Sequence, residues 1–189
     1  RMYEYRFGYR LARSLSLNQL RGMEGARVRD MYASEAERTG VLWEGRRWGQ
    51  GAWERSDPIN RALSAANACL NGVCHAAIVA GGYSTALGFI HVGRQLSFVY
   101  DIADLYKAEI TIPLAFEIVA ESPENVERRA RLRCRDIFRE RRILSRILPD
   151  IDGIFDMPIP AEDIVEYEDA EGTFGIRLWS KLWEESKPS

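Results

Sequence analysis

Apolar residues recur along most of this chain at intervals of three and four, the period of helices that bury one face. From Asn18 to Thr39 the stripe is Leu20, Met23, Arg27, Val28, Met31 and Tyr32, with Asn18 as a plausible cap and Gly40 as a stop. Residues 41–56 break the period: Trp43, Trp48 and Trp53 lie among Gly45, Gly49 and Gly51 around Arg46 and Arg47, which predicts a loop. Asp57-Pro58 then supplies a cap followed by proline at the first helical position, and an alanine-rich run to Ala80, ended by Gly81-Gly82, predicts a buried central helix. Gly88-Phe-Ile-His-Val-Gly93 reads as a strand-like turn carrying His91. Three further helices are predicted, from Ser97 through Lys107, from Pro113 to Glu121, and from Pro123 through Ile147, so the body is expected to be all-α.

The character changes after Pro149. Pro158 and Pro160 interrupt the chain, acids crowd Glu162 to Glu171, and only Phe174–Trp183 regains an apolar pattern. The expected organisation is a helical domain over residues 1–149 and an irregular acidic linker with a docking tail over 150–189. The length of 189 residues suits one ordinary domain, and 46% hydrophobic with 29% charged residues excludes wholesale disorder. Cys69, Cys74 and Cys134 make an odd number without metal-type spacing, which supports neither a disulfide framework nor a zinc ribbon and points to a reducing compartment. Gly81, Gly82, Arg94 and Asp101 break the longest apolar stretches, so no membrane span is expected. The opening at Arg1, with no signal-peptide pattern, reads as the interior of a longer protein.

The net charge of -2 hides a division. Residues 1–149 hold 23 of the 26 basic and 17 of the 28 acidic groups, a surplus of +6, and residues 150–189 hold 3 and 11, a balance of -8. Much of the basic surplus lies between Arg128 and Arg146, where nine arginines meet only Asp136 and Glu140. Such a face suits phosphate oxygens, although a solvated helix face accounts for many charge runs. The tryptophans of residues 43–53 can stack single-stranded bases or plug a core. Gly81-Gly82 lacks the lysine and threonine of a phosphate loop, which excludes a nucleoside-triphosphate site of that kind. Cys134, among arginines, is expected to have a lowered thiol pKa, but no histidine lies nearby in sequence to make it a nucleophile.

Four residues are candidate ligands: Glu24, His91, Asp101 and Asp104. Asp101 and Asp104 are three apart, so a helix projects both from nearly one face. Carboxylates with one imidazole suit Mg²⁺ or Mn²⁺, the ions of phosphodiester chemistry. The structural alternative stands beside this: Asp101 and Asp104 as helix-start acids, Glu24 paired with Arg27 or Arg21, and His91 as a hydrogen-bonded turn histidine. His75, inside the alanine-rich helix, fits a core or edge position better than a ligand.

Read together in order, Arg21-Gly-Met-Glu24-Gly-Ala-Arg27-Val-Arg29, Gly88-Phe-Ile-His91-Val-Gly93, Leu96-Ser-Phe-Val-Tyr-Asp101-Ile-Ala-Asp104 and Cys134-Arg-Asp-Ile-Phe138 resemble the helical catalytic domain of the CRISPR adaptation integrase, nearest its type I-E branch. The resemblance covers about residues 10–148. It implies that Glu24, His91 and Asp104 bind a divalent metal, with Asp101 as an auxiliary acid of the same site. It also implies an endonuclease and integrase that inserts foreign DNA fragments into the CRISPR repeat by transesterification, together with a small ferredoxin-like subunit. Arg94, Lys107, Arg128 and Arg131 match basic positions used on DNA, and Trp48 and Trp53 match aromatics near the protospacer-adjacent motif. The family's N-terminal β-domain, which forms most of its homodimer interface, is not found in this sequence. A cytoplasmic protein is expected. The competing readings are a non-catalytic, arginine-rich nucleic-acid-binding module and an interaction module docking a basic protein on the acidic tail.

Overall fold

The computed structural model describes residues 2–12, 14–46 and 57–155, together with the backbone of 166–169 and 172–175. The chain forms two units, Arg1–Ile154 and Phe155–Ser189. In the first, α3 (Pro58–Ala80) is the helix around which the others are arranged. The Asp57 side chain accepts the Asn60 N–H at 2.8 Å and Pro58 opens the helix, as the sequence predicts. Its buried stripe is Ile59, Ala62, Leu63, Ala66, Leu70, Cys74, Ala77 and Ile78, spaced by three and four. The small residues Ala62 and Ala66 face a cluster holding Val126, Ala130 and Cys134, which allows close helix approach. Among the described helices α3 alone has the length and apolarity of a membrane span. Burial of its stripe, and the Arg61–Glu127 ion pair at 2.7 Å on its first turns, make it a core helix.

The segment Ser97–Glu121 is one continuous helical run. It comprises α4 (Ser97–Tyr106), a π-helical turn (Lys107–Thr111) and α5 (Ile112–Glu121). The sequence placed a separate helix start at Pro113. A proline inside a helix removes one N–H and crowds the carbonyl four residues back. The widened turn absorbs that strain, with Ile112 N–H bonded to the Lys107 carbonyl, and Arg141 Nη1 lies 3.5 Å from the Glu109 carbonyl that Pro113 cannot serve.

The single helix expected over 123–147 is instead α6 (Val126–Glu140) and α7 (Ile143–Phe155), broken where Arg142 takes a left-handed φ of 49°. The break turns Ile143, Ile147, Ile151 and Ile154 onto the core with Phe98, Val99, Ile102 and Tyr106. Helix α7 therefore continues past the boundary expected at 149. Asp150 and Asp152, counted in the acidic tail, accept from the hydroxyls of Tyr106 and Tyr83 and anchor this helix.

Helix α1 (Met2–Phe7) rests on α4, burying Met2 and Tyr3. Helix α2 (Leu17–Thr39) starts one residue before the expected Asn18 because Ser16, in a capping box with Gln19, is its cap. Gly40 closes it at φ 68°. Trp43 stacks on Tyr32, with ring centres 4.5 Å apart, and lies 5.7 Å from Phe116, so for this tryptophan the core-plug reading holds. Trp48 and Trp53 lie outside the described residues.

In the second unit, β1 (Glu166–Asp169) and β2 (Gly172–Gly175) pair antiparallel, Glu166 opposite Gly175 and Asp169 opposite Gly172. These eight residues of the acidic tail are thus regular, where the sequence suggested an irregular one. The rest of the apolar stretch to Trp183 lies outside the described residues.

Candidate metal centre

The turn before α4 is folded around one carboxylate. Asp101, fully buried on α4, accepts the backbone N–H groups of Phe89 (2.5 Å) and Ile90 (3.0 Å) on Oδ2, and of His91 (3.0 Å) on Oδ1. The His91 ring adds a fourth bond, Nδ1 to Asp101 Oδ1 at 2.7 Å. Burial pushes the Asp101 carboxyl up, but the His91 ring and the three N–H groups outweigh it and hold the pKa below the ordinary value. An ionised Asp101 accepts, so Nδ1 donates to it and Nε2 is the ring nitrogen turned away from that bond, on a side chain 41% exposed. Asp101 is thereby placed behind the histidine, with both its oxygens engaged. Helix α4 begins at Ser97, so Asp101 is its fifth residue and neither acid caps the helix.

Gly88 permits this turn. A Cβ there would stand 2.2 Å from the His91 carbonyl oxygen and 2.8 Å from the Ser97 backbone and Cβ. Gly88→Ala is expected to cost about 2 kcal/mol by overpacking, read as a melting temperature several degrees lower; an unchanged melt would contradict the packing described.

One turn along α4, Asp104 meets Glu24 of α2 across the guanidinium of Arg6. Nη2 of Arg6 bonds Asp104 Oδ2 at 2.9 Å, and Nη1 lies 3.5 Å from Glu24 Oε1. Lys107 reaches the other Asp104 oxygen at 2.5 Å, and Arg27 bonds Glu24 at 3.1 and 3.3 Å. The expected Glu24–Arg27 pair is therefore present, yet Glu24 also shares a cation with Asp104. Among the described residues no three His, Cys, Asp or Glu side chains converge closely enough to hold a metal ion. The predicted ligands arrive in two parts, Glu24 with Asp104 on one cation, and His91 held apart by Asp101.

The donor set nonetheless fits a hard divalent ion. Two carboxylates from different helices already share one positive charge, with Arg6 as the stand-in, and the oriented imidazole offers a free nitrogen. Arg6, 18 residues before Glu24, carries no periodic or motif signal in the sequence, and only the fold reveals it. His75 is exposed on α3.

The basic residues divide. Glu121 of α5 takes Arg129 (2.5 Å) and Arg133 (2.8 Å), and Glu109 of the π turn takes Arg141 (3.0 Å) and Arg146 (3.1 Å). Asp136 holds its neighbour Arg135 at 2.8 Å. Half of the arginine run is thus neutralised, largely by acids from other elements that no local reading of the helix reveals. Arg128, Arg131, Arg139 and Arg142 are exposed and form no salt bridge among the described residues. Their spacing puts them, with Arg135, along one side of α6 and the turn after it. Arg94 is exposed next to the His91 turn, where its backbone, not its guanidinium, bonds Ser97. Cys134 departs from expectation: its hydrogen bond with Cys69 and its burial push the thiol pKa up.

Fold and site together define a helical domain whose central helices hold an acidic centre neutralised by cationic side chains. The family described as CRISPR associated protein Cas1 matches residues 6–128, and the chain belongs to it. It is 48% identical over 171 residues to CRISPR-associated endonuclease Cas1 of Geobacter sulfurreducens, covering 88% of this chain and 56% of that protein. It is 51% identical over 177 residues to CRISPR-associated endonuclease Cas1 2 of Thermus thermophilus, covering 93% and 54%. Cas1 of Escherichia coli K12 is 48% identical over 168 residues, covering 86% and 55%. The crystal structure of the TtCas1–DNA complex superposes with a TM-score of 0.78 at 49% identity, covering 90% of this chain and 61% of that one. The chain thus spans a little over half the length of these curated relatives. The match contains Arg6, Glu24, His91, Asp101, Asp104, Lys107 and Arg128, and leaves α7 and the tail outside.

Proposed function

We propose that this chain supplies the catalytic centre of a metal-dependent DNA endonuclease and integrase of CRISPR adaptation. The observation that carries this reading is the joining of Glu24 and Asp104 from separate helices on one cation, together with a histidine that Asp101 orients on the turn before α4, inside the family match. Relatives at 48–51% identity are named endonucleases, and a structural neighbour is a complex with DNA.

Glu24, Asp104 and the Nε2 of His91 would hold Mn²⁺ or Mg²⁺. When bound, the ion supplies Lewis-acid stabilisation of phosphate and leaving oxygen and lowers the pKa of the attacking hydroxyl. Asp101 fixes the imidazole tautomer and the turn that carries it. Lys107, on the far oxygen of Asp104, adds positive charge where a phosphodiester would approach. Arg94 and the row of Arg128, Arg131, Arg139 and Arg142 bind DNA phosphates without reading bases, which suits fragments of varied sequence. On this reading the acceptor is the CRISPR repeat, the attacking group is the 3′-hydroxyl of the foreign fragment, and the reaction is transesterification. The assembly includes a homodimer and a small ferredoxin-like subunit, and it works in the cytoplasm.

The test is DNA binding and cleavage, followed with Mn²⁺ and with chelator across a salt series. Replacing Arg128, Arg131, Arg139 and Arg142 together by alanine is expected to lower the slope of log affinity against log salt by about 4 for duplex DNA. Cleavage products should appear with Mn²⁺ and vanish with chelator. Salt-sensitive binding with no product under any metal condition would favour the non-catalytic binding module.

A further inference from the structure

We propose that Arg6 is a built-in cation that holds the Glu24–Asp104 site closed, and that a divalent ion must displace it, so that metal loading and the seating of α1 compete. This rests on the metal reading above. The Arg6 side chain is 3% exposed and, among the described residues, it alone touches both carboxylates, 2.9 Å from Asp104 Oδ2 and 3.5 Å from Glu24 Oε1. Its buried Nε has no hydrogen-bond partner. An arginine chosen for its own hydrogen bonding would not leave an N–H unmet in a dry position. This one is placed for its charge between two acids.

The charge count then forces a choice. Around the two carboxylates stand Arg6, Arg27 and Lys107, three positive charges against two negative ones. A divalent ion added to that set meets net repulsion at short range. Arg27 and Lys107 each hold a single carboxylate three residues away on their own helix and are about 30% exposed, so they can swing aside into water. Arg6 lies between the acids, in the direction a shared ligand must occupy. Its helix is short, six residues, seated by Met2 and Tyr3 and by the approach of Arg27 to the Phe7 ring at 5.7 Å. Displacing Arg6 loosens α1 at its C-terminal end, which couples the seating of this helix to the metal state of the site.

Two measurements decide it. Calorimetric Mn²⁺ titration of the full chain is compared between wild type, Arg6→Met and Arg6→Lys. Arg6→Met is expected to bind on the order of tenfold more tightly than wild type, with Arg6→Lys between them. Equal or weaker binding by Arg6→Met, with wild type binding normally, would overturn the displacement and make Arg6 a support for the ligands. No Mn²⁺ binding by either protein would overturn the metal reading, and the inference with it. The second measurement needs no variant: amide hydrogen exchange of wild type with and without Mn²⁺. Faster exchange over residues 2–7 on Mn²⁺ addition is expected, and unchanged or slower exchange there would overturn the competition.

Discussion

Replacing Glu24, His91 or Asp104 by alanine in the full-length protein is expected to abolish metal-dependent DNA cleavage and strand transfer, each variant alone being sufficient. Two carboxylates and one imidazole leave no spare ligand, so loss of any one removes a charge or a donor that stabilises the transition state. The three are not equivalent in the folded protein. Glu24→Ala leaves Arg27 without its partner and Arg6 with one acid, and Asp104→Ala frees Lys107 and Arg6 together, so both disturb the ion-pair set at the junction of α1, α2 and α4. His91→Ala removes a half-exposed ring and leaves Asp101 with its three backbone donors. Activity should therefore fall in all three, with the thermal melt least changed in His91→Ala. Full activity in any one would remove that residue from the site.

Asp101→Ala is expected to act through the fold. Four donors close on this buried carboxylate, and its removal takes away the acceptor shared by three backbone N–H groups and the imidazole N–H. The expected cost is about 3 kcal/mol, or roughly a 6–12 °C drop in melting temperature for a chain of this size. The pH dependence has a definite sign. The folded pKa lies below the unfolded value of about 3.9, so the contribution of Asp101 is fully present above that pH and is lost as pH falls through the lower folded value. Wild type should lose stability over that acid range more steeply than Asp101→Asn. Matching acid limbs in thermal melts of the two proteins would show that the carboxylate is not ionised on folding. As a positioning residue, Asp101 should also govern Mn²⁺ affinity through His91, and Asp101→Asn, which keeps an acceptor, should weaken that affinity less than Asp101→Ala.

What could be read along the chain was what chain neighbours decide. Asp57-Pro58 at the start of α3 and Gly40 at the end of α2 are local signals, and both hold in the structure. The break between α6 and α7 falls at Arg141-Arg142, with neither glycine nor proline to mark it; the isoleucine face of α7 is turned onto the core only by that break. Pro113 does not start a separate helix, because the widened turn before it absorbs the strain that proline otherwise relieves by starting one. In the site, Glu24, His91 and Asp104 carried chemistry by type and by likeness to the family. The bond of Asp101 to His91 and the bridge of Arg6 between Glu24 and Asp104 depend on tertiary placement, across 10 and 98 residues, and no spacing rule reaches them. The neutralisation of Arg129, Arg133, Arg141 and Arg146 by Glu121 and Glu109 is of the same kind, and it narrows the proposed nucleic-acid face to the arginines left outside those pairs.

The central claim is that this helical unit holds a divalent ion on Glu24, His91 and Asp104. Calorimetric titration of the full chain with Mn²⁺, beside His91→Ala and Asp104→Ala, tests it most directly. Saturable one-site binding by wild type, lost in both variants, is the predicted result; binding that survives in both, or is absent from wild type, would contradict it.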